Sequence, residues 1–134
     1  MNQQPEILLV DDDEINNFLT EELIRLVNPD VNIISCTRVN DALEFLENII
    51  SDKKKGPDSI LVDLNMPMVS GWEFVEEFER LKPLFPNDVK LYIYTSSVYY
   101  EDVNKAKTFP SVKALYTKPL TQEMIEDCCI TSGR

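Results

Sequence analysis

Short, uninterrupted apolar runs recur along this chain, and four of them stop at a cluster of polar residues. Ile7-Leu8-Leu9-Val10 stops at Asp11-Asp12-Asp13, and Ile60-Leu61-Val62 stops at Asp63. The run ending at Tyr94 stops at Thr95-Ser96-Ser97, and the run ending at Tyr116 stops at Thr117-Lys118-Pro119. Three or four apolar residues in a row without polar alternation fit a strand covered on both faces, the condition of a parallel sheet between helices. Strands are expected over 7–10, 31–35, 59–62, 90–94 and 112–116.

The segments between the runs follow helical periodicity. Helices are expected over 14–28, 39–50, 72–81, 99–108 and 122–130. In the first, Ile15, Phe18, Leu19, Leu23, Leu26 and Val27 form one stripe expected to face the core. In the second, Ala42, Leu43, Leu46, Ile49 and Ile50 are expected to point inward; in the third, Phe74, Val75, Phe78 and Leu81. Asn28-Pro29-Asp30, Gly56-Pro57 and Pro83 with Pro86 punctuate the pattern. Strictly alternating strands and helices imply βαβ units, a parallel sheet and an α/β fold. A chain of 134 residues fits one domain over 1–134.

Charge and composition narrow the function. The net charge of −11 opposes direct nucleic-acid binding, because phosphate backbones reward clustered Lys and Arg. The basic run Lys53-Lys54-Lys55 reads as a solvated loop. The apolar runs are too short to cross a bilayer, and Met1–Pro5 lacks a secretion signal, so a cytoplasmic location is expected. Cys36, Cys128 and Cys129 have no metal-binding spacing and read as reduced thiols. No histidine occurs, so any histidine chemistry must come from a partner.

Ligand sites in open parallel sheets lie beyond the carboxyl ends of the strands, where this chain concentrates its acids. With sheet order 2-1-3-4-5, strands one and three are neighbours, and their terminal acids lie together. Carboxylates ~4 Å apart repel by about 1 kcal/mol in water and about 4 kcal/mol at a surface-like dielectric. A hard divalent cation or protonation of one acid would relieve this. Mg²⁺ suits the first remedy, since it takes one or two carboxylates and also binds phosphate oxygens. Each residue also has an ordinary reading: Asp13 as a helix cap, Asp63 as a loop acid, Thr95 as a strand former, Lys118 as a surface lysine.

Taken together, Leu8-Leu9-Val10-Asp11-Asp12-Asp13, Val62-Asp63-Leu64-Asn65-Met66-Pro67 with Gly71, Tyr94-Thr95-Ser96 and Thr117-Lys118-Pro119 resemble the receiver domains of two-component response regulators across essentially the whole chain. The resemblance implies a flavodoxin-like (βα)5 three-layer sandwich. It implies that Asp63 accepts a phosphoryl group from a phosphohistidine on a histidine kinase or histidine phosphotransfer protein. Mg²⁺, with Mn²⁺ able to substitute, would be held by Asp12, Asp63 and the Asn65 backbone carbonyl, with Asp11 acting through water. Thr95 and Lys118 would contact phosphoryl oxygens, and the Lys118–Pro119 peptide would be cis. The protein would be a phosphoacceptor rather than an enzyme, without an output domain. It would signal to a downstream protein, or through a homodimer, by the face of helix four, strand five and helix five.

The sequence departs from the family where a switch aromatic commonly stands three residues before the lysine: Leu115 occupies that place, beside Tyr116. Tyr99 or Tyr100 could serve instead, or could be ordinary surface residues. Asn65 and Ser97, both small and polar, flank the expected route of hydrolytic water. Trp72 reads mainly as a packing residue. Two other functions fit more loosely: a small Mg²⁺-dependent phosphatase with an aspartyl intermediate, and a receiver-like interaction module that is never phosphorylated.

Overall fold

The computed structural model describes residues 4–64, 66, 70–96 and 99–127. Strands β1 (Glu6–Val10), β2 (Asn32–Cys36), β3 (Ser59–Val62), β4 (Lys90–Thr95) and β5 (Val112–Thr117) form one parallel sheet in the order β2-β1-β3-β4-β5. Helices α1 (Glu14–Val27), α2 (Val39–Ser51), α3 (Gly71–Leu81), α4 (Tyr100–Ala106) and α5 (Gln122–Ile125) connect or follow them. A 3-10 turn, Lys82–Leu84, extends α3. The order and the α/β class are those expected, and no strand boundary differs by more than one residue. Residues 128–130, expected to extend the last helix, lie outside the described residues, as do Cys128, Cys129, Asn65 and Ser97.

The sheet has a core on each face. Leu8, Val10, Ile60, Val62, Leu91 and Ile93 pack with α2 and α3 side chains such as Ala42, Leu46, Phe74, Val75 and Phe78. Ile7, Leu9, Leu61, Tyr92 and Tyr94 face α1 and α5, packing with Ile24 and Ile125. Successive strand side chains point to opposite faces, so a strand with helices on both sides must be apolar throughout. This explains the unbroken runs of β1 and β3.

Helix α1 corrects one expectation. Its buried residues are Asn17, Thr20 and Ile24, with Leu23 and Val27 partly covered. Ile15, Phe18, Leu19 and Leu26 of the expected core stripe are 72%, 60%, 53% and 81% exposed. Polar contacts at its start orient the helix. The Asp13 carboxylate accepts from the Ile15 and Asn16 N–H groups at 3.0 and 3.2 Å. The Asn17 amide donates to the Asp11 carbonyl at 2.9 Å. With Asn17 turned towards the sheet, its neighbour Phe18 points away. Helices α2 and α3 behave as expected, except that Leu43, Ile49 and Ile50 are only half-buried.

Candidate functional site

The sheet register brings the strand ends together. Val10 lies beside Val62, and Val62 beside Ile93. The Asp63 N–H donates to the Val10 carbonyl at 2.9 Å, and the Lys118 N–H to the Thr95 carbonyl at 2.8 Å. The residues following β1, β3, β4 and β5 therefore share one end of the sheet, at the β1/β3 switch point where such folds bind ligands.

Asp11, Asp12 and Asp63 each present a carboxylate oxygen, all within 4.8 Å of one another. Asp11 and Asp63 are buried, whereas Asp12 is exposed at the rim. Partial burial, then the charge of Asp11, holds the Asp12 carboxyl above its ordinary range against an opposing backbone hydrogen bond, and Asp63 and Asp13 add weaker pushes upward. The Lys118 ammonium bridges the two buried acids, 2.8 Å from Asp11 Oδ2 and 3.1 Å from Asp63 Oδ2. One lysine against three carboxylates leaves net negative charge among hard oxygen donors. That donor set fits a small divalent cation that keeps some of its water.

Asp11 is held on several sides. Its Oδ1 accepts from the Asp13 N–H at 3.0 Å. Its Oδ2 accepts from the Asn16 amide at 2.6 Å, the Tyr94 hydroxyl at 3.3 Å and Lys118. Burial, then the nearby negative charge of Asp11, pushes the Tyr94 phenol well above its ordinary pKa, so it remains a donor. Asn16, Asn17 and Tyr94 were missed in the sequence. Asn16 and Asn17 look like solvated helix residues, and Tyr94 like an ordinary strand residue. The Asn17 Oδ1 is a buried atom with no partner among the described residues.

Among the expected site residues, Asp11, Asp12, Asp63 and Lys118 converge directly. Thr95 ends β4, fully buried, and is joined to Lys118 through the backbone. The Asn65 carbonyl falls outside the described residues. The Lys118–Pro119 peptide is cis. Asp13 serves as the α1 cap. Gly71 supports the loop after Asp63: a Cβ there would lie 2.3 Å from the Asp63 carbonyl oxygen and 2.8 Å from Leu64 Cα. Only glycine fits this approach.

Leu115 is half-buried against the α2/α3 core, whereas Tyr116 faces the opposite side, stacked on Tyr92 at 5.6 Å and donating to Asp127 at 2.6 Å. Tyr99 and Tyr100 are exposed. Trp72 is buried and stacks on Phe109 at 5.7 Å. Its indole N–H donates to Asp102 at 3.4 Å, and Lys105 Nζ sits 5.0 Å from its ring.

Comparison with known proteins agrees with this geometry. The family model for the response regulator receiver domain matches residues 7–128. A two-component response regulator from Cytophaga hutchinsonii superposes with a TM-score of 0.83 at 31% identity, over 95% of each chain. A CheY-like receiver domain protein from Methanospirillum hungatei shares the fold, with a TM-score of 0.75 at 19% identity over 93% of this chain and 90% of that one. Protein-glutamate methylesterase/protein-glutamine glutaminase 1 of Rhizobium johnstonii is 32% identical over 84 residues, 63% of this chain and 22% of that protein. The chain thus matches about a fifth of the length of such curated relatives. With five parallel strands in the order 2-1-3-4-5 and the acids at their carboxyl ends, this chain belongs to the response regulator receiver domain family.

Proposed function

We propose that this protein accepts a phosphoryl group onto Asp63 from a phosphohistidine on a partner, in a Mg²⁺-dependent reaction, and passes the signal on by a change of shape. The observation that carries this reading is the buried Asp63 carboxylate, grouped with Asp11 and Asp12 within 4.8 Å and held by Lys118 at 3.1 Å. Asp12 and Asp63 would hold the metal directly with the Asn65 carbonyl, and Asp11 through water. When bound, Mg²⁺ would neutralise charge on the acids and on phosphoryl oxygens.

The remaining work falls to the chain's own groups. An Asp63 oxygen attacks phosphorus, the bond from phosphorus to the partner's imidazole nitrogen breaks, and that electron pair stays with the imidazole. Lys118, shared between Asp11 and Asp63 at rest, can transfer its Asp63 contact to a phosphoryl oxygen while keeping Asp11. The Thr95 hydroxyl would donate to a second oxygen. Fixed donors aimed at developing charge are the main protein contribution to such a transfer.

The donor's docking face is the outer side of α1. Ile15, Phe18 and Leu19 stand exposed on the helix that starts beside Asp12. Burying each fully would contribute at most about 1.5–3 kcal/mol. Inward, a path to α4 runs from the Asp63 carbonyl through Gly71 to Trp72, and from Trp72 to Asp102 and Phe109. This path bypasses the missing aromatic at Leu115.

Incubation with acetyl phosphate and Mg²⁺, followed by intact-mass measurement, tests the reading. One phosphate should be added to the wild type and none to Asp63→Asn. An unmodified wild type, or a modified Asp63→Asn, would overturn it. Repeated turnover of an aryl phosphate would instead mark a phosphatase.

A further inference from the structure

Tyr94 is enclosed beneath the charged site, on the α1/α5 side of the sheet. Its ring centroid lies 4.8 Å from Lys118 Nζ. Its hydroxyl lies 3.3 Å from Asp11 Oδ2, the same oxygen that Lys118 Nζ contacts at 2.8 Å. Tyr94, Lys118 and Asp11 therefore close a three-way contact, and the ammonium also reaches Asp63 Oδ2 at 3.1 Å. Resting on the reading of Asp63 as phosphoacceptor, we propose that Tyr94 is a positioning residue for phosphoryl transfer: its ring seats the Lys118 ammonium and its hydroxyl anchors Asp11, so that the ammonium stays aimed at the oxygens of Asp63.

A lysine on its four-carbon stem has many rotamers, and holding one costs conformational entropy. Near the rim of a cleft, hydration competes for the charge. The negative face of an aromatic ring holds a desolvated cation without neutralising it. An aliphatic side chain of similar size would fill the space but offer no such attraction. The phenol adds a donor to Asp11, which already receives the Asn16 amide. Asp11 is thereby kept from turning towards Lys118 alone and drawing it off Asp63. Transfer requires reacting groups held in near-attack geometry, where small displacements are costly.

The test is a double-mutant cycle on single-turnover modification of Asp63 by acetyl phosphate with Mg²⁺, read by intact mass over long incubations. The proteins are wild type, Tyr94→Leu, Tyr94→Phe, Lys118→Ala and each Tyr94 variant combined with Lys118→Ala. Tyr94→Leu should slow modification about tenfold when Lys118 is present and less than about twofold when it is absent, since contacting residues couple. Tyr94→Phe, which keeps the ring, should recover most of the loss. A role in packing alone would slow both backgrounds equally, and that result, or an unchanged rate in Tyr94→Leu, overturns the proposal. If Tyr94→Leu does not fold, Tyr94→Met, which also lacks the ring, takes its place in the cycle: a loss confined to the lysine-bearing protein supports the proposal, and an equal loss in both backgrounds or no loss overturns it. Failure of the wild type to gain phosphate, or modification of Asp63→Asn, overturns the phosphoacceptor reading instead and needs no change at Tyr94.

Discussion

Asp12→Asn should make the metal-free protein more stable, although it removes a residue from the centre of the site. In the folded chain the Asp12 carboxylate faces those of Asp11 and Asp63 within 4.8 Å. At that distance each like-charge pair costs about 0.9 kcal/mol at the dielectric of water, the relevant limit for an exposed side chain. Two pairs come to about 1.7 kcal/mol, a ceiling that counterions and side-chain motion lower to about 1 kcal/mol gained on neutralising the exposed Asp12. For a domain of this size that is a rise in Tm of about 3–5 °C. Thermal unfolding in EDTA at low salt and near-neutral pH measures it. Because the folded protein raises the Asp12 pKa, it binds this proton more tightly than the unfolded chain does. The wild type's disadvantage should therefore fade as pH falls through that raised value, and vanish below the ordinary 3.8. Saturating Mg²⁺ should reverse the ranking, since ligand bound only by the native state stabilises it, by about 2.7 kcal/mol at a hundredfold excess over Kd. An Asp12→Asn protein no more stable than wild type in EDTA, or one whose advantage persists in acid, would refute the electrostatic reasoning.

Gly71→Ala should cost about 1–3 kcal/mol in urea unfolding, because the new methyl meets Asp63 and Leu64 backbone rather than a movable side chain. Phe18→Glu should change stability by less than about 0.5 kcal/mol yet slow phosphotransfer from a histidine-bearing donor, while the acetyl phosphate reaction keeps its rate. Lys118→Ala should tighten Mg²⁺ binding several-fold in a Trp72 fluorescence titration, because the ammonium that competes for Asp63 is gone.

The strands and their polar ends were legible because they follow from periodic, short-range signals, whereas the order 2-1-3-4-5, which brings Asp11, Asp12, Asp63 and Lys118 together, came with the family resemblance. An unbroken apolar run announces a strand covered on both faces, and its first polar residue announces the strand end. The facing of α1 was not legible in the same way. Its larger apolar residues form an obvious stripe, but the helix is oriented by hydrogen bonds from Asp13 and Asn17, which sequence periodicity does not weigh. Tyr94 was hidden for a related reason. Its role depends on a lysine 24 residues away in the chain, brought over its ring by the pairing of β4 with β5. Tyr116, by contrast, could be assigned to the other side of the sheet from strand alternation alone.

The outer face of α1 has a consequence for encounter kinetics. It exposes four large apolar side chains on a protein of net charge −11. At low ionic strength the repulsion between copies reaches tens of ångströms, about 30 Å at 0.01 M salt, and keeps like faces apart. The same field draws in a partner that is positively charged around its own apolar patch, raising the association rate well above that of uncharged proteins. Added salt should slow that capture while weakening the protection against self-association. The charge of the whole molecule would thus govern how quickly a donor arrives, and the apolar residues of one helix how long it stays.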